Sequence, residues 1–449
     1  MLPDEVLLGI FDFCAGKNGG HKFSKRDVEA WQSLVHVCQR WRSVVFGSPH
    51  RLNLRLVFTN FTCARDTLDV WPALPLVFNA SVYETKGEND VASVLERRDR
   101  VQAICLSFLV VWGSSLEDAL AAMQEPFPEL TDLRLDLNPE CGRMPILPES
   151  FLGGSVPRLR FLRLKCIPFP GLPELLLSTS QLTTLYLEDI PHSGYFSPEA
   201  MATPLSTLIN LRSLCLQFES YEFDWENRRL LPPTRSILPV LTSFEFKGVS
   251  EYLNDLVAGI GAPKLRKLNI YLLHQEFDLP QLIQFISDIP KLRTLEKGHI
   301  SFREDTATVV FSSQTYGHGE LIVDVFCEEL DYQLTSLKQV CASCVPPLFT
   351  LFTLEDLYIH GTPNSTNWKY EDYDPEDDPS WLRLLRSFPS VKNLYLSEEA
   401  APCIMAVLDD FFDEGRTTVL PNLREIFSQC PWRPNQERHW EVLCRATVN

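Results

Sequence analysis

The stretch "VPRLRFLRLKC", Val156 to Cys166, carries the pattern on which this chain is built. Leu159, Leu162 and Leu164 stand in the frame L-x-x-L-x-L, and Pro157 lies two residues before the first of them. The alternation at the end of the frame is the period of a strand with one buried face. One copy lies upstream, "FPELTDLRLDL" from Phe127. Downstream come "TSQLTTLYLED" from Thr179, "LINLRSLCLQF" from Leu208, "LPVLTSFEFKG" from Leu238 and "APKLRKLNIYL" from Ala262. "IPKLRTLEKGH" from Ile289, "LFTLEDLYIHG" from Leu351, "FPSVKNLYLSE" from Phe388 and "LPNLREIFSQC" from Leu420 follow, and "RVQAICLSF" from Arg100 is a weaker early copy. Seven copies hold the proline: Pro128, Pro157, Pro239, Pro263, Pro290, Pro389 and Pro421. Proline cannot continue a helix and pushes its predecessor into an extended conformation, so it marks where helix hands over to strand.

Segments between the frames, such as "LPQLIQFISDI" and "SWLRLLRSF", have helical spacing. One strand and one helix per unit of about 23 to 30 residues is a leucine-rich repeat. A single unit cannot bury its leucines, so neighbours must stack them into a continuous core. The expected fold class is α/β, a solenoid with parallel strands on its concave face and helices on its convex face. Beyond the last anchor stand Asn138, Ile167, Ile190 and Glu219, so the repeat is an irregular form without an asparagine ladder. From Leu292 to Leu354 the frame is degraded, with "ELIVDVF" from Glu320 as a strand and "QLTSLKQVCASCV" from Gln333 as a helix. Where anchors point in, the residues between them point out. Arg134, Arg163, Tyr186, Asn269, Tyr358 and Tyr395 should therefore form rows on the concave face, flanked by Lys165, Glu188, Lys247 and His360. Tyrosine offers rigid contact area with a polar tip, which makes these rows the candidate surface for capturing a protein.

The chain has 449 residues and a formal net charge of −18. That balance argues against nucleic acid or an anionic membrane as a partner. No apolar run is long enough for a membrane span. Acidic Asp4, Glu5 and Asp12 stand where a secretory leader would be basic and then apolar. Thirteen scattered cysteines then point to a reducing compartment, cytoplasm or nucleus. No nucleophile elbow, phosphate-binding loop, zinc-protease motif or dinucleotide fingerprint occurs, so neither an enzyme nor a cofactor is expected. Cys341 and Cys344 form a single C-x-x-C, whereas a structural zinc site needs four ligands, so they read as buried thiols. The acidic stretch from Glu371 to Asp378 reads as a solvated loop.

The chain opens "MLPDEVLLGIFDFC", a helix with Val6, Leu7, Ile10, Phe11 and Phe13 expected inward and acids in its first turn. A glycine-rich basic spacer follows, and then "VEAWQSLVHVCQRWRSVVF", expected as one helical region closed by Gly47-Ser48-Pro49. These few helices bury too little to stand comfortably alone, so their apolar excess needs a cover.

This segment resembles the F-box, which opens with Leu-Pro-x-Glu and a leucine-rich helix and ends with Val-Cys-x-x-Trp. Here those residues are Leu2, Pro3 and Glu5 with Leu7, Ile10 and Phe11, then Val37, Cys38 and Trp41. The combination with the repeats is most similar to fungal F-box proteins with irregular leucine-rich repeats. The resemblance implies docking of these nine residues on the Skp adaptor of a cullin–RING ubiquitin ligase, with the repeats holding an unidentified target protein. It implies residues 1–50 as the adaptor-binding module and 51–449 as the solenoid, with irregular first repeats over 51–110 and a C-terminal cap over about 430–449. A second reading keeps the F-box but places it outside ubiquitination, on a binding scaffold.

Overall fold

A computed structural model of the chain describes residues 2–14, 31–49, 51–59, 64–82, 94–108, 115–139, 146–219, 235–273, 279–293, 295–303, 305–313, 319–327, 334, 336, 337, 339, 354–361, 380–402, 404, 405, 408, 419–429 and 440–445. The spacer at 15–30, Cys341 and Cys344, the acidic stretch Glu371 to Asp378 and residues 430–439 lie outside them. The fold class is α/β, helices with a mostly parallel sheet. The chain divides into two units, Met1–Tyr195 and Phe196–Asn449.

The first unit holds strands β1 (Leu56–Phe58), β2 (Leu76–Val82), β3 (Val101–Phe108), β4 (Asp132–Leu137), β5 (Phe161–Lys165) and β6 (Thr184–Ile190). Each pairs in parallel with the next in chain order. Its helices are α1 (Asp4–Cys14), α2 (Gln39–Gly47), α3 (Ala64–Val70), α4 (Ser115–Ala122) and α5 (Leu172–Leu176). Frame anchors such as Leu133, Leu135, Leu162 and Leu185 are fully buried, so the period of two puts one face of each strand into the core.

In the second unit β7 (Ser213–Phe218), β9 (Ser243–Gly248) and β11 (Lys267–Leu272) pair in parallel with one another in that order. Short β8 (Ser236–Ile237) and β10 (Ile260–Gly261) form a separate parallel pair. Helices α6 (Pro198–Leu205), α7 (Ser250–Gly259), α8 (Pro280–Ser287) and α9 (Ser380–Leu385) belong to this unit, the last two within the segments of helical spacing. Tyr252 of α7 packs its ring 4.7 Å from Phe218 and 5.9 Å from Phe246, which closes the apolar face there.

The proline of the frame has a more definite role than breaking a helix. In every copy that carries it, the first anchor's N–H donates to the carbonyl three residues back. Examples are Leu130 to Phe127 at 3.2 Å, Leu159 to Val156 at 3.1 Å and Leu265 to Ala262 at 3.1 Å. Proline is thus the second residue of a tight turn, where its ring presets φ. Copies without proline keep the turn, as Leu182 to Thr179 at 3.0 Å shows.

The parallel expectation fails between Ile289 and Phe326. The frame at Ile289 predicts a strand three residues before β12 (Lys297–Phe302) begins. The buried residues of β12 are Gly298, Ile300 and Phe302, so the strand has slid off its anchors Leu292 and Leu295. β13 (Thr306–Ser312) runs antiparallel to it and β14 (Glu320–Phe326) antiparallel to β13. The strand order becomes β11-β14-β13-β12, followed by β15 (Asp356–His360), β16 (Asn393–Leu396), β17 (Glu425–Gln429) and β18 (Trp440–Arg445). The chain thus steps past two places in the sheet and folds back to fill them. β14 takes the place beside β11 with the usual ladder, its Glu320 N–H donating to the Arg266 carbonyl at 2.7 Å. Gly319 is required for this return, since a Cβ there would stand 2.1 Å from the Lys291 carbonyl oxygen. β18 is a second antiparallel element, paired with β17.

The second helical region is also broken. Residues 31–35 are helical, 36–37 turn, and Cys38 is extended (φ −161°, ψ 168°), capping α2 with its Sγ accepting from the Trp41 N–H at 3.4 Å. The Arg42 Nε donates to the Val35 carbonyl at 3.1 Å, satisfying an acceptor that the break would leave.

Candidate functional site

Three surfaces carry the residues singled out by sequence. The first is the N-terminal module. Leu7 and Phe11 are 4% and 0% exposed, with Trp41 half-buried and edge-on to Phe11 at 4.8 Å. Leu7 and Phe11 are therefore the module's own packing and are closed to a partner. Leu2, Pro3, Glu5, Ile10, Val37 and Cys38 are exposed, Cys38 as a helix cap and not on a helix face. Val6, Ile10 and Phe13, expected inward, point outward instead. With Leu2 they form a stripe at helical spacing, and Phe13 reaches 89% exposure. Val6 and Phe13 are the residues that sequence reasoning missed, although the spacing from Leu2 held the signal. Arg40 Nη2 fastens α1 by donating to the Leu2 carbonyl at 2.5 Å and to Asp4 at 2.7 Å. Trp31 and Phe46 of the module meet the chain beyond it, with Trp71 edge-on to Trp31 at 5.2 Å and to Phe46 at 6.3 Å.

The second surface is the polar face of the first unit's sheet. Parallel register brings Cys105, Arg134, Arg163 and Tyr186 side by side. Arg163 bridges Glu188 at 2.8 Å and Asp136 at 3.4 Å, and Lys165 pairs with Asp189 at 3.7 Å. The Arg134 guanidinium lies 4.2 Å over the Phe161 ring, whose edge meets Tyr186 at 5.8 Å. Burial pushes the Cys105 thiol up to about 11. Arg163 and Lys165 are thus paired with carboxylates, whereas the Nε and Nη2 of Arg134 are buried with no hydrogen-bond partner among the described residues.

The third surface is the corresponding face of the second unit. Tyr358 and Tyr395 are register neighbours, stacked at 4.3 Å with planes 8° apart. His299 stacks on Tyr358 at 4.4 Å, and Phe427 on Tyr395 at 4.6 Å. Register extends this aromatic row through Val310 and Ile322 to Asn269, which the β12–β14 trio separates from the tyrosines by three strands. All these side chains are half-buried. Burial, with His360 and Lys297 nearby, lowers the His299 pKa to about 4. Burial, then Asp356, Tyr358 and Glu425, push the Tyr395 phenol up to about 12. Phe427 occupies the same frame position as Arg134 and was legible there. His299 was hidden by the slide of β12.

Among the described residues, no three His, Cys, Asp or Glu side chains come together as a metal cluster would require. No helix among them is long and apolar enough to cross a membrane. No protein-family model matches this chain, and no curated protein matches it.

Proposed function

We propose that the chain is a substrate-recognition subunit of a Skp–cullin–F-box ubiquitin ligase. Residues 1–50 dock on the Skp adaptor, and the stacked copies of the frame act as an irregular leucine-rich-repeat solenoid whose polar sheet face captures a target protein in the cytoplasm or nucleus. The observation that carries the reading is the outward stripe of Leu2, Val6, Ile10 and Phe13, with Val37 of the same module also exposed. A row of exposed apolar side chains on one small module marks an interaction surface. The docking set is accordingly Leu2, Pro3, Glu5, Ile10, Val37, Cys38 and the half-buried Trp41 with Val6 and Phe13 added, while Leu7 and Phe11 hold the module together behind it. Catalysis belongs to the ubiquitin-conjugating enzyme, and this chain supplies proximity, which raises effective concentration without chemistry of its own.

The test is co-purification with the Skp adaptor and a cullin. Val6→Asp with Phe13→Asp should abolish adaptor binding while changing stability by no more than ~0.5 kcal/mol, since both residues lie on the surface. Adaptor binding that survives this pair overturns the docking assignment. Adaptor bound without cullin replaces the ligase with a scaffold that uses the module outside ubiquitination.

A further inference from the structure

We propose that the strand-start edge of the second unit, around β11 and β14, is a docking surface for an acidic, Asp- and Glu-rich segment of a partner protein. This goes beyond the ligase reading and depends neither on adaptor docking nor on capture by the polar sheet face.

The chain carries Pro-Lys-Leu-Arg at Pro263–Arg266 and again at Pro290–Arg293. In each copy the leucine is buried and closes the same tight turn, Leu265 to Ala262 and Leu292 to Ile289, both at 3.1 Å. The lysine and arginine that flank each leucine are all exposed. The return of β14 brings the two turns together. Gly319 lies against the Lys291 carbonyl, and the next residue, Glu320, donates its N–H to the Arg266 carbonyl at 2.7 Å. The two basic turns thus touch successive residues at one strand entry. The ladder adds a further cation. The Arg266 N–H donates to the Thr242 carbonyl, and the Thr242 N–H donates to the carbonyl of Arg212, whose side chain is also exposed.

Charge does not cancel at this edge. Lys267 pairs with Glu320 at 3.2 Å and Arg235 with Asp288 at 2.5 Å, so both carboxylates are already held. Glu296 stands farther on, at the entry to β12, with Lys297 next to it in sequence. Arg293 donates its Nε to the Ser287 carbonyl at 2.5 Å, which fixes the guanidinium without neutralising it. Arg212, Lys264, Arg266 and Lys291 have no ion pair among the described residues. In a chain with 59 acidic and 41 basic residues, this group is a local reversal of sign. Like charges held together repel, and an anionic partner relieves that repulsion. Guanidinium forks match carboxylates in geometry, and arginine clusters are an established means of reading acidic segments. A short acidic segment ends where the patch ends. Nucleic acid fits less well, since a longer polyanion would extend into the field of the chain's net charge of −18.

The experiment measures fluorescence anisotropy of labelled octaglutamate, with octaglutamine as control, titrated with the full chain. Saturable binding of octaglutamate alone is expected, weakening at least ~10-fold between about 50 and about 300 mM salt. Lys264→Gln, Arg266→Gln and Lys291→Gln together should weaken it at least ~10-fold at an unchanged melting temperature, since all three side chains are exposed. Should that triple variant fail to fold, Arg212→Glu alone should weaken binding several-fold. Arg160→Gln with Arg424→Gln removes exposed arginines from the same frame position before β5 and β17, and should leave binding unchanged. No saturable binding, wild-type binding by a folded triple variant, or an equal loss in the Arg160 and Arg424 pair would overturn the proposal. Tighter binding of a single-stranded octanucleotide than of octaglutamate would overturn it in favour of nucleic acid. A chain that co-purifies with adaptor and cullin yet ignores octaglutamate keeps the ligase reading and loses this one. A chain that binds octaglutamate without adaptor does the reverse.

Discussion

At the same frame position, the residue between the second and third anchors, two stretches of sheet carry different chemistry. In the first unit stand Arg134, Arg163 and Tyr186; in the second unit, after Cys215, Glu245 and Asn269 of β7, β9 and β11, stand Tyr358, Tyr395 and Phe427, joined by His299. The backbone spacing is the same in both, and it suits the two side-chain types differently. Flat rings on neighbouring strands meet at stacking distance, so like residues support one another. Like charges at that distance repel, so Arg163 turns to carboxylates one rung away, Asp136 and Glu188. Phe161 and Tyr186 belong to different rungs, since Phe161 pairs with Thr184, and they meet edge-on and not face to face. A ladder of one residue type thus forms only where register aligns rings.

The comparison breaks most visibly from beneath. Leu357 lies under the aromatic row and Leu185 under the arginine row, both fully buried. Leu357→Ala and Leu185→Ala should each cost ~2–5 kcal/mol. Hydrogen exchange should show each loss concentrated in its own unit, and equal loss in both units would erase the distinction.

A middle-sized effect sharpens the contrast between the rows. Tyr395 stacks on both sides, and each aromatic pair contributes ~0.5–1.5 kcal/mol beyond its burial, so Tyr395→Ala should cost at least about 1–3 kcal/mol whatever the salt. Arg163→Met removes partly exposed ion pairs worth ~0–1 kcal/mol, and that difference should shrink as salt rises. Denaturant melts of both variants at low and high ionic strength would decide the matter, and a salt-sensitive Tyr395 effect would count against stacking.

The smallest effect is acid sensitivity. His299 has a pKa of about 4 in the folded chain against the ordinary 6.5. Above pH 6.5 it is neutral in both states. As pH falls from 6.5 toward 4 the unfolded chain takes up a proton that the folded chain resists, so stability declines through that window. His299→Phe should flatten the decline in the second unit. An unchanged slope would place His299 in a more solvated setting than the stack.

Much of this was legible beforehand. The frame located β4, β5, β6, β7, β9, β11, β15, β16 and β17 because alternation and burial are local properties. Tyr358 and Tyr395 were placed side by side from frame position alone. Other features were not legible. β13, "TATVVFS", has the β-branched alternation of a strand but no leucine frame, so the frame does not locate it. The inward assignment of Val6, Ile10 and Phe13 failed because one amphipathic helix with apolar residues all round does not reveal which stripe its own chain covers.

What sequence by itself determined was which residues could form strands, which side chains had to be buried, and where each turn began, since a proline two residues before an anchor presets that turn whatever lies next to it. Only the tertiary structure decided which strand lies beside which. The order β11-β14-β13-β12-β15, the arrival of His299 beside Tyr358 and the separation of Asn269 from the tyrosines all depend on pairing between segments distant in sequence. Either β12 or β14 could satisfy the ladder beside β11 with backbone hydrogen bonds alike in kind. The choice falls to side-chain packing and to a close approach such as that of Gly319 to Lys291, which no local pattern encodes.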